Sequence, residues 1–264
     1  MYRKIDRLNP SDLTDLVSGK IAVLHWPSFL SCEQCDEAVE KIESYNTTDL
    51  YEVTKKVSPI KKIGKAVFDY AGKDEMLTNY FRQIPSINKL LDNFFDDNPP
   101  LNSFLDIVNN AWPQGACVEN YAENEMYYGL IREFPPGSFA LAHQDVMAWD
   151  IPTYERAKLV QHQFAANVYL QTPLMGGNLT VIDFEYKDKK SYELAKLPDS
   201  YGIDVTQIVP APPKITIKPC QGDLVMFNAK LLHEVSEVET DEVRITTSCF
   251  INYYDDESAL RFFS

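Results

Sequence analysis

The chain is poor in positive charge, in histidine and in paired cysteine, and it has no long apolar run. Lys and Arg number 25 against 39 Asp and Glu across 264 residues, for a formal net charge of −14. So acidic a surface repels the phosphates of nucleic acid, and an anionic membrane disfavours it on the same ground. No run of Lys or Arg is long enough to reverse this locally. No stretch approaches the roughly 20 apolar residues that a membrane helix needs. The N-terminal MYRKIDRLNPSDLTDL is charged and lacks an apolar signal core. A soluble, cytoplasmic protein is expected, with neither nucleic acid nor membrane as partner.

Of the five cysteines, only Cys32 and Cys35 lie close together, in CEQC. Zinc would need a second ligand pair, and none is evident. The following DEAVEKIESY reads as a helix with Ser31 as its N-cap, so the two cysteines are expected to be ordinary helix-start residues.

What is present divides the chain in two. Residues 1–125 read as mostly helical: DEAVEKIESY, DEMLTNYFRQIPSINKLLDNFF and LNSFLDIVNNAW carry apolar residues three and four apart. One early strand, IAVLHW, interrupts them. From about Tyr127 the segments become short and rich in β-branched and aromatic residues, as in YYGLIREF, FAANVYLQT and VRITTSCFINY, with PPG, GG and QGD between them. The pattern predicts one domain over 1–264, mainly β with flanking helices. A two-layered β core over 126–264 would carry the helical half on its outside. The stretch Lys187–Pro213 is long enough to be a lid or binding loop.

Only four histidines are available for chemistry: His25, His143, His162 and His233. In FALAHQDVMAWD, His143 and Asp145 are two apart, so on a strand they share a face. His233 follows another apolar strand, GDLVMFN. Two imidazoles and one carboxylate form the facial triad that suits non-haem Fe(II). His25 and His162 read as structural. Arg244 begins RITTS, where Arg244, Thr246 and Ser248 alternate onto one face. A buried guanidinium needs an anion, and Arg grips a carboxylate with two parallel hydrogen bonds. An iron site beside a carboxylate clamp points to a keto-acid cosubstrate. The bland alternative pairs Arg244 with Asp241 or Glu242 at the surface.

The constellation His143-x-Asp145, His233 and Arg244 resembles the Fe(II)/2-oxoglutarate-dependent dioxygenases. Within them, GGNLTVIDFEY, GDLVMFN and HEVSEVETDEVRIT are similar to the carrier-independent group of welwitindolinone-type alkaloid halogenases and free-lysine halogenases and hydroxylases. The resemblance implies a double-stranded β-helix core, of jelly-roll and cupin-like form. It implies Fe(II), 2-oxoglutarate and O2 as cofactors, with the far carboxylate of 2-oxoglutarate on Arg244 and Thr246. It suggests Arg132 as a further contact to the keto acid. Asn167, a central-strand amide in need of partners, is a candidate cosubstrate contact. Trp149 and Ser248 are candidate substrate contacts. The halogenases of the group have Gly where this chain has Asp145, which opens a coordination place for chloride. The carboxylate here implies a hydroxylase acting on an unactivated C–H bond of a free amino acid or a specialised metabolite such as an alkaloid. Desaturation, cyclisation and halogenation remain alternative outcomes on the same cofactors. The expected partner is a small molecule rather than a carrier protein, and the expected assembly a monomer or homodimer. Two rival classes stand beside this reading. A non-catalytic β-sandwich binding module would need no metal. A cupin-type enzyme would more often show H-x-H and would not use Arg244.

Overall fold

The computed structural model describes residues 1–45, 49–51, 54, 57–70 and 74–264. In chain order the elements are β1 (Tyr2–Lys4), α1 (Pro10–Val17), β2 (Val23–Trp26), α2 (Cys32–Tyr45), β3 (Lys61–Ile63), α3 (Asp74–Phe94), α4 (Pro100–Ala111), β4 (Ala116–Val118), β5 (Asn120–Tyr121), β6 (Asn124–Glu125), β7 (Leu130–Phe134), β8 (Ala140–His143), α5 (Met147–Asp150), β9 (His162–Gln171), β10 (Leu179–Ile182), α6 (Lys189–Ala195), β11 (Lys214–Ile217), β12 (Leu224–Asn228), β13 (Leu232–Val235), β14 (Arg244–Tyr253) and β15 (Leu260–Phe263).

These form a nine-stranded sheet in the order β1-β2-β12-β9-β14-β15-β4, with β7 also on β14 and β3 on β7. A second sheet runs β11-β10-β13-β8, and β5-β6 is a small hairpin. The expected mainly β fold with a double-stranded β-helix core is not what forms. The fold is mixed α/β, with two separate sheets that share no strand pairing among the described residues, and neither closes into a barrel. The helical half does not simply pack outside either, because β1, β2, β3 and β4 belong to the large sheet. Each is only three or four residues long, too short to announce itself by alternation.

The two ten-residue strands β9 and β14 are buried along almost their whole length. That burial explains why FAANVYLQ does not alternate: both faces are covered, as in a sheet with layers on each side. Helix α2 covers β9, turning Cys35, Ala38, Val39 and Ile42 inward at i, i+3, i+4 and i+7. Its start is a capping box: Ser31 Oγ accepts from Gln34 N at 3.2 Å, and Gln34 Oε1 accepts from Ser31 N at 3.1 Å. Cys35 is thus a buried helix residue and Cys32 an exposed one.

His25 is structural. Its Nε2 meets Asp223 Oδ2 at 2.8 Å and its Nδ1 meets the Tyr2 hydroxyl at 2.7 Å, tying β1, β2 and the start of β12 together. His162 packs between Phe164 and Tyr253. Among the described residues no helix is long and apolar enough to cross a membrane.

Candidate metal centre

The smaller sheet brings the two histidines together. β13 runs antiparallel to β8 with His233 opposite His143, and their ring centroids are 4.3 Å apart. Each ring is held by its own strand. His143 Nδ1 lies 2.7 Å from the Leu141 carbonyl and His233 Nδ1 lies 2.9 Å from the Leu231 carbonyl. A carbonyl only accepts, so each Nδ1 carries the proton and each Nε2 presents its lone pair.

Asp145 arrives by a different route from the one its spacing suggested. β8 ends at His143, and Asp145 lies in the turn that follows, where its N–H donates to the Ala229 carbonyl at 2.9 Å. That turn is braced from behind. Gln144 points the other way and pairs its amide with both backbone groups of Tyr186, at 2.9 and 3.1 Å. The Asp145 carboxylate reaches His233 Nε2 at 3.2 Å. One ligand atom from each of His143, Asp145 and His233 lies within 4.8 Å of the others, the only such group of three found among the described residues.

The protonation states suit a cation. Burial first, then the neighbouring His233, push the His143 imidazolium down to about 4, so its ring is neutral near pH 7. Burial alone would raise Asp145. The close contact with His233 and the neighbouring His143 and Arg132 outweigh it and hold the carboxyl below its ordinary range. Two imidazoles and a carboxylate, with no thiolate, are a donor set that fits ferrous iron.

The opposite wall comes from the large sheet. Arg132, Thr246 and Tyr169 sit in one row across β7, β14 and β9. Leu130, Ser248 and Asn167 form the next row. Arg244, 2% exposed, donates through Nε to the Gly177 carbonyl at 3.1 Å and lies between the rings of Phe134 and Tyr169, at 4.7 and 4.9 Å. Gly177 is needed there, since it has φ +63° and an added Cβ would come within 3.1 Å of Arg244 Cδ. No carboxylate pairs with Arg244 among the described residues, so the surface ion pair with Asp241 or Glu242 does not form. The Tyr169 hydroxyl, beside it, is buried without a hydrogen-bond partner of good geometry. A buried cation that meets no carboxylate among the described residues fits the carboxylate of a keto acid.

A cavity of about 350 Å³ joins the two walls. It is lined by His143, Asp145, His233, Arg244, Thr246, Arg132, Asn167 and Trp149. Ser248 is not among its lining side chains. Its hydroxyl donates to the Leu130 carbonyl at 3.0 Å and accepts from Arg132 Nη1, so it holds Arg132 from behind. Arg132 Nε also donates to the Tyr51 hydroxyl at 2.8 Å. The long segment Lys187–Pro213 does border the cavity, through Lys189, Tyr192, Glu193, Lys196 and Tyr201. Sequence reasoning missed Tyr169, Tyr51 and Asp150. Tyr169 was accessible, since it lies two residues beyond Asn167 on the same strand. Tyr51 and Asp150 carried no signal beyond their composition.

The family model of the carrier-protein-independent halogenase WelO5 matches residues 5–264. The chain belongs to that family. With it, the chain is an enzyme of the Fe(II)/2-oxoglutarate-dependent oxygenases that acts on small organic molecules. Similar proteins span nearly the same length. The L-gamma-glutamyl-L-propargylglycine hydroxylase of Streptantibioticus cattleyicolor is 24% identical over 245 residues, covering 90% of this chain and 87% of that protein. An N-substituted L-amino acid dioxygenase from Burkholderia ambifaria shares the fold with TM-score 0.65 at 14% identity, covering 97% of this chain and 91% of the other. HygX from Streptomyces hygroscopicus, solved with nickel and 2-oxoglutarate, has TM-score 0.50 at 14% identity over 92% of this chain and 86% of its own.

Proposed function

We propose that this enzyme hydroxylates an unactivated C–H bond of a free small molecule, an amino acid or a specialised metabolite. His143, Asp145 and His233 are its iron ligands. Arg244, with Thr246 and Tyr169, is the seat of the far carboxylate of 2-oxoglutarate. The observation that carries the reading is Asp145, whose carboxylate stands 3.2 Å from His233 where the family's halogenases have glycine. It fills the position that chloride would take. The hydroxylase named among the similar proteins points the same way.

Bound to the triad, iron with 2-oxoglutarate and oxygen supplies the oxidant that such a bond requires. The chain's own contribution is orientation and charge. The Leu141 and Leu231 carbonyls fix both imidazoles in the ligating tautomer. Arg244 neutralises the diacid at one end. Arg132 acts electrostatically on both His143 and Asp145 and on Arg244. It lines the same cavity as the triad and Arg244, where it would be a contact for the keto acid. Asn167 lines the same end of the cavity and offers an amide to it. Trp149 walls the substrate side.

The test is succinate release from 2-oxoglutarate by protein loaded with Fe(II), in chloride buffer, with product mass. The expected result is turnover, abolished in His143→Ala, and a product heavier by one oxygen. Turnover retained by His143→Ala removes the triad. A chlorinated product with Asp145 intact overturns its role.

A further inference from the structure

Asp150 is a carboxylate that the scheme above does not use. It ends α5, lines the same cavity as the triad, and has no hydrogen-bond or ion-pair partner among the described residues. Two cations are close enough to act on it electrostatically, Lys189 and Lys196, yet neither bonds to it. Lys196 is paired with both oxygens of Glu193, at 2.8 and 2.9 Å. Lys189 donates to the Trp149 carbonyl at 2.7 Å, which leaves two of its three protons unused. Burial first, then the negative charge of Asp145, push the Asp150 carboxyl up to about 8. A cation placed beside it would reverse that.

The facing wall has the right composition. Lys189, Tyr192, Glu193 and Lys196 all border the cavity. Their spacing of i, i+3, i+4 and i+7 is one face of α6 and its C-cap residue. The helix is fixed against α5. Trp149 packs on Tyr192 at 5.2 Å, and Asp188 caps α6 by accepting from Ser191 N at 2.9 Å. Charges of both signs therefore meet at one end of the cavity, in front of the aromatic pair Trp149 and Tyr192. Asp145 lies two residues before α5 and Asp150 ends it, so a single helical turn of roughly 6 Å and a short lead-in separate them in the chain. Both border the cavity, within which an extended amino-acid side chain can run from one to the other.

We infer that Asp150 binds the ammonium group and Lys189 the carboxylate of a zwitterionic α-amino acid, whose side chain runs inward past Trp149 to the triad. This rests on the oxygenase reading of the cavity and narrows it to a substrate class. It also sets the site of oxidation: the side chain and not the α-carbon is presented to the metal.

The experiment uses the whole chain with Fe(II) and 2-oxoglutarate. The visible absorption band of the anaerobic Fe(II)·2-oxoglutarate complex is recorded first. Succinate release is then measured with free L-α-amino acids bearing three- to six-carbon side chains, each beside its N-acetyl and carboxamide derivatives. At least one zwitterion should stimulate release, and both derivatives of it should lose most of the effect. Asp150→Asn should keep the absorption band and raise KM for the zwitterion roughly tenfold to a hundredfold, with a smaller change in kcat. Lys189→Met should raise KM for the zwitterion and have little effect with its carboxamide. Product fragmentation should place the new oxygen on the side chain. If the band forms but no zwitterion stimulates, or the N-acetyl form works as well as its parent, or Asp150→Asn leaves KM unchanged, the inference is overturned and the oxygenase reading stands. If wild-type protein forms no band, the oxygenase reading falls and takes this inference with it.

Discussion

Replacing Arg244 by Met separates a clamp from a structural cation, because the two roles predict opposite changes. The Arg244 side chain is buried, its charge lacks a carboxylate among the described residues, and its stem runs between Phe134 and Tyr169. Met keeps much of the volume and removes the charge. In protein without ligands, taking away an uncompensated buried charge is neutral or stabilising by about 1–4 kcal/mol. Losing the hydrogen bond to the Gly177 carbonyl returns about 1 kcal/mol of that. At about 2–4 °C per kcal/mol for a chain of this size, the variant should melt at the wild-type temperature or several degrees above it. Binding of 2-oxoglutarate should move the other way. Truncating one partner of a buried charge pair costs about 2–5 kcal/mol, which is roughly thirtyfold to several-thousandfold in affinity. Wild-type protein held with metal at a hundred times the dissociation constant should gain about 2.7 kcal/mol from the ligand. At that concentration the variant should gain about 0.9 kcal/mol after a thirtyfold loss of affinity and almost none after a thousandfold loss. Thermal melts with and without 2-oxoglutarate, and KM for 2-oxoglutarate from succinate release, read both effects. A variant that melts well below wild type and keeps the wild-type KM would make Arg244 a structural cation and refute the clamp.

Three smaller perturbations test other links. Tyr169→Phe removes a buried hydroxyl whose polar neighbours are Arg244 and Asn167. It should leave the melting temperature level or slightly raised and increase KM for 2-oxoglutarate severalfold; an unchanged KM would place that hydroxyl outside the clamp. Ser31→Ala breaks the capping box of α2 at a cost of about 1 kcal/mol, so the melting temperature should fall by about 2–4 °C while succinate turnover per folded molecule stays the same. Asp150→Asn tests the burial of that carboxyl by pH. Its folded value of about 8 lies above the unfolded one, so its stabilising contribution is complete below about pH 4 and is lost as pH rises towards 8, at no more than about 1.4 kcal/mol per unit. The Asn variant without ligands should therefore gain on wild type between pH 5 and 8; a constant difference would show Asp150 to be freely solvated.

How much of this could be read from the residues depends on the range of the interaction. The capping box of Ser31 and Gln34 is local, and its helix stands where the apolar spacing put it. The alternation of Arg244 and Thr246 reports which face each side chain takes, and a strand keeps that face wherever it pairs. Strand pairing itself is non-local. Nothing in VLHW says that β2 will lie against β12, some 200 residues on, or that β4 will pair with β15. The expected closed β core failed on those pairings, while the candidate site residues other than Ser248, which depend on faces and chemistry, line one cavity. His143 and Asp145 are instructive in a second way. The spacing argument assumed an unbroken strand, yet β8 stops at His143, and a backbone hydrogen bond to Ala229 in the turn brings the carboxylate round.

The charged groups of the cavity contrast with several buried polar side chains elsewhere, which find partners. Glu119 takes the hydroxyl of Tyr254 and the amide of Asn252, Gln163 holds the N–H of Met147, and Asp223 holds His25. Asp69 and Arg261 each leave one buried atom unpaired but bond through another. Arg244 has a single charge, and no carboxylate answers it among the described residues. Asp150 repeats the pattern at the far end. Low dielectric makes each of these groups costly while empty and strongly attractive to a complementary ligand. A cation at Arg244 and an anion at Asp150 beside two lysines, in the cavity of the triad, describe two different guests. A fold under selection for stability alone would have paired or removed these groups.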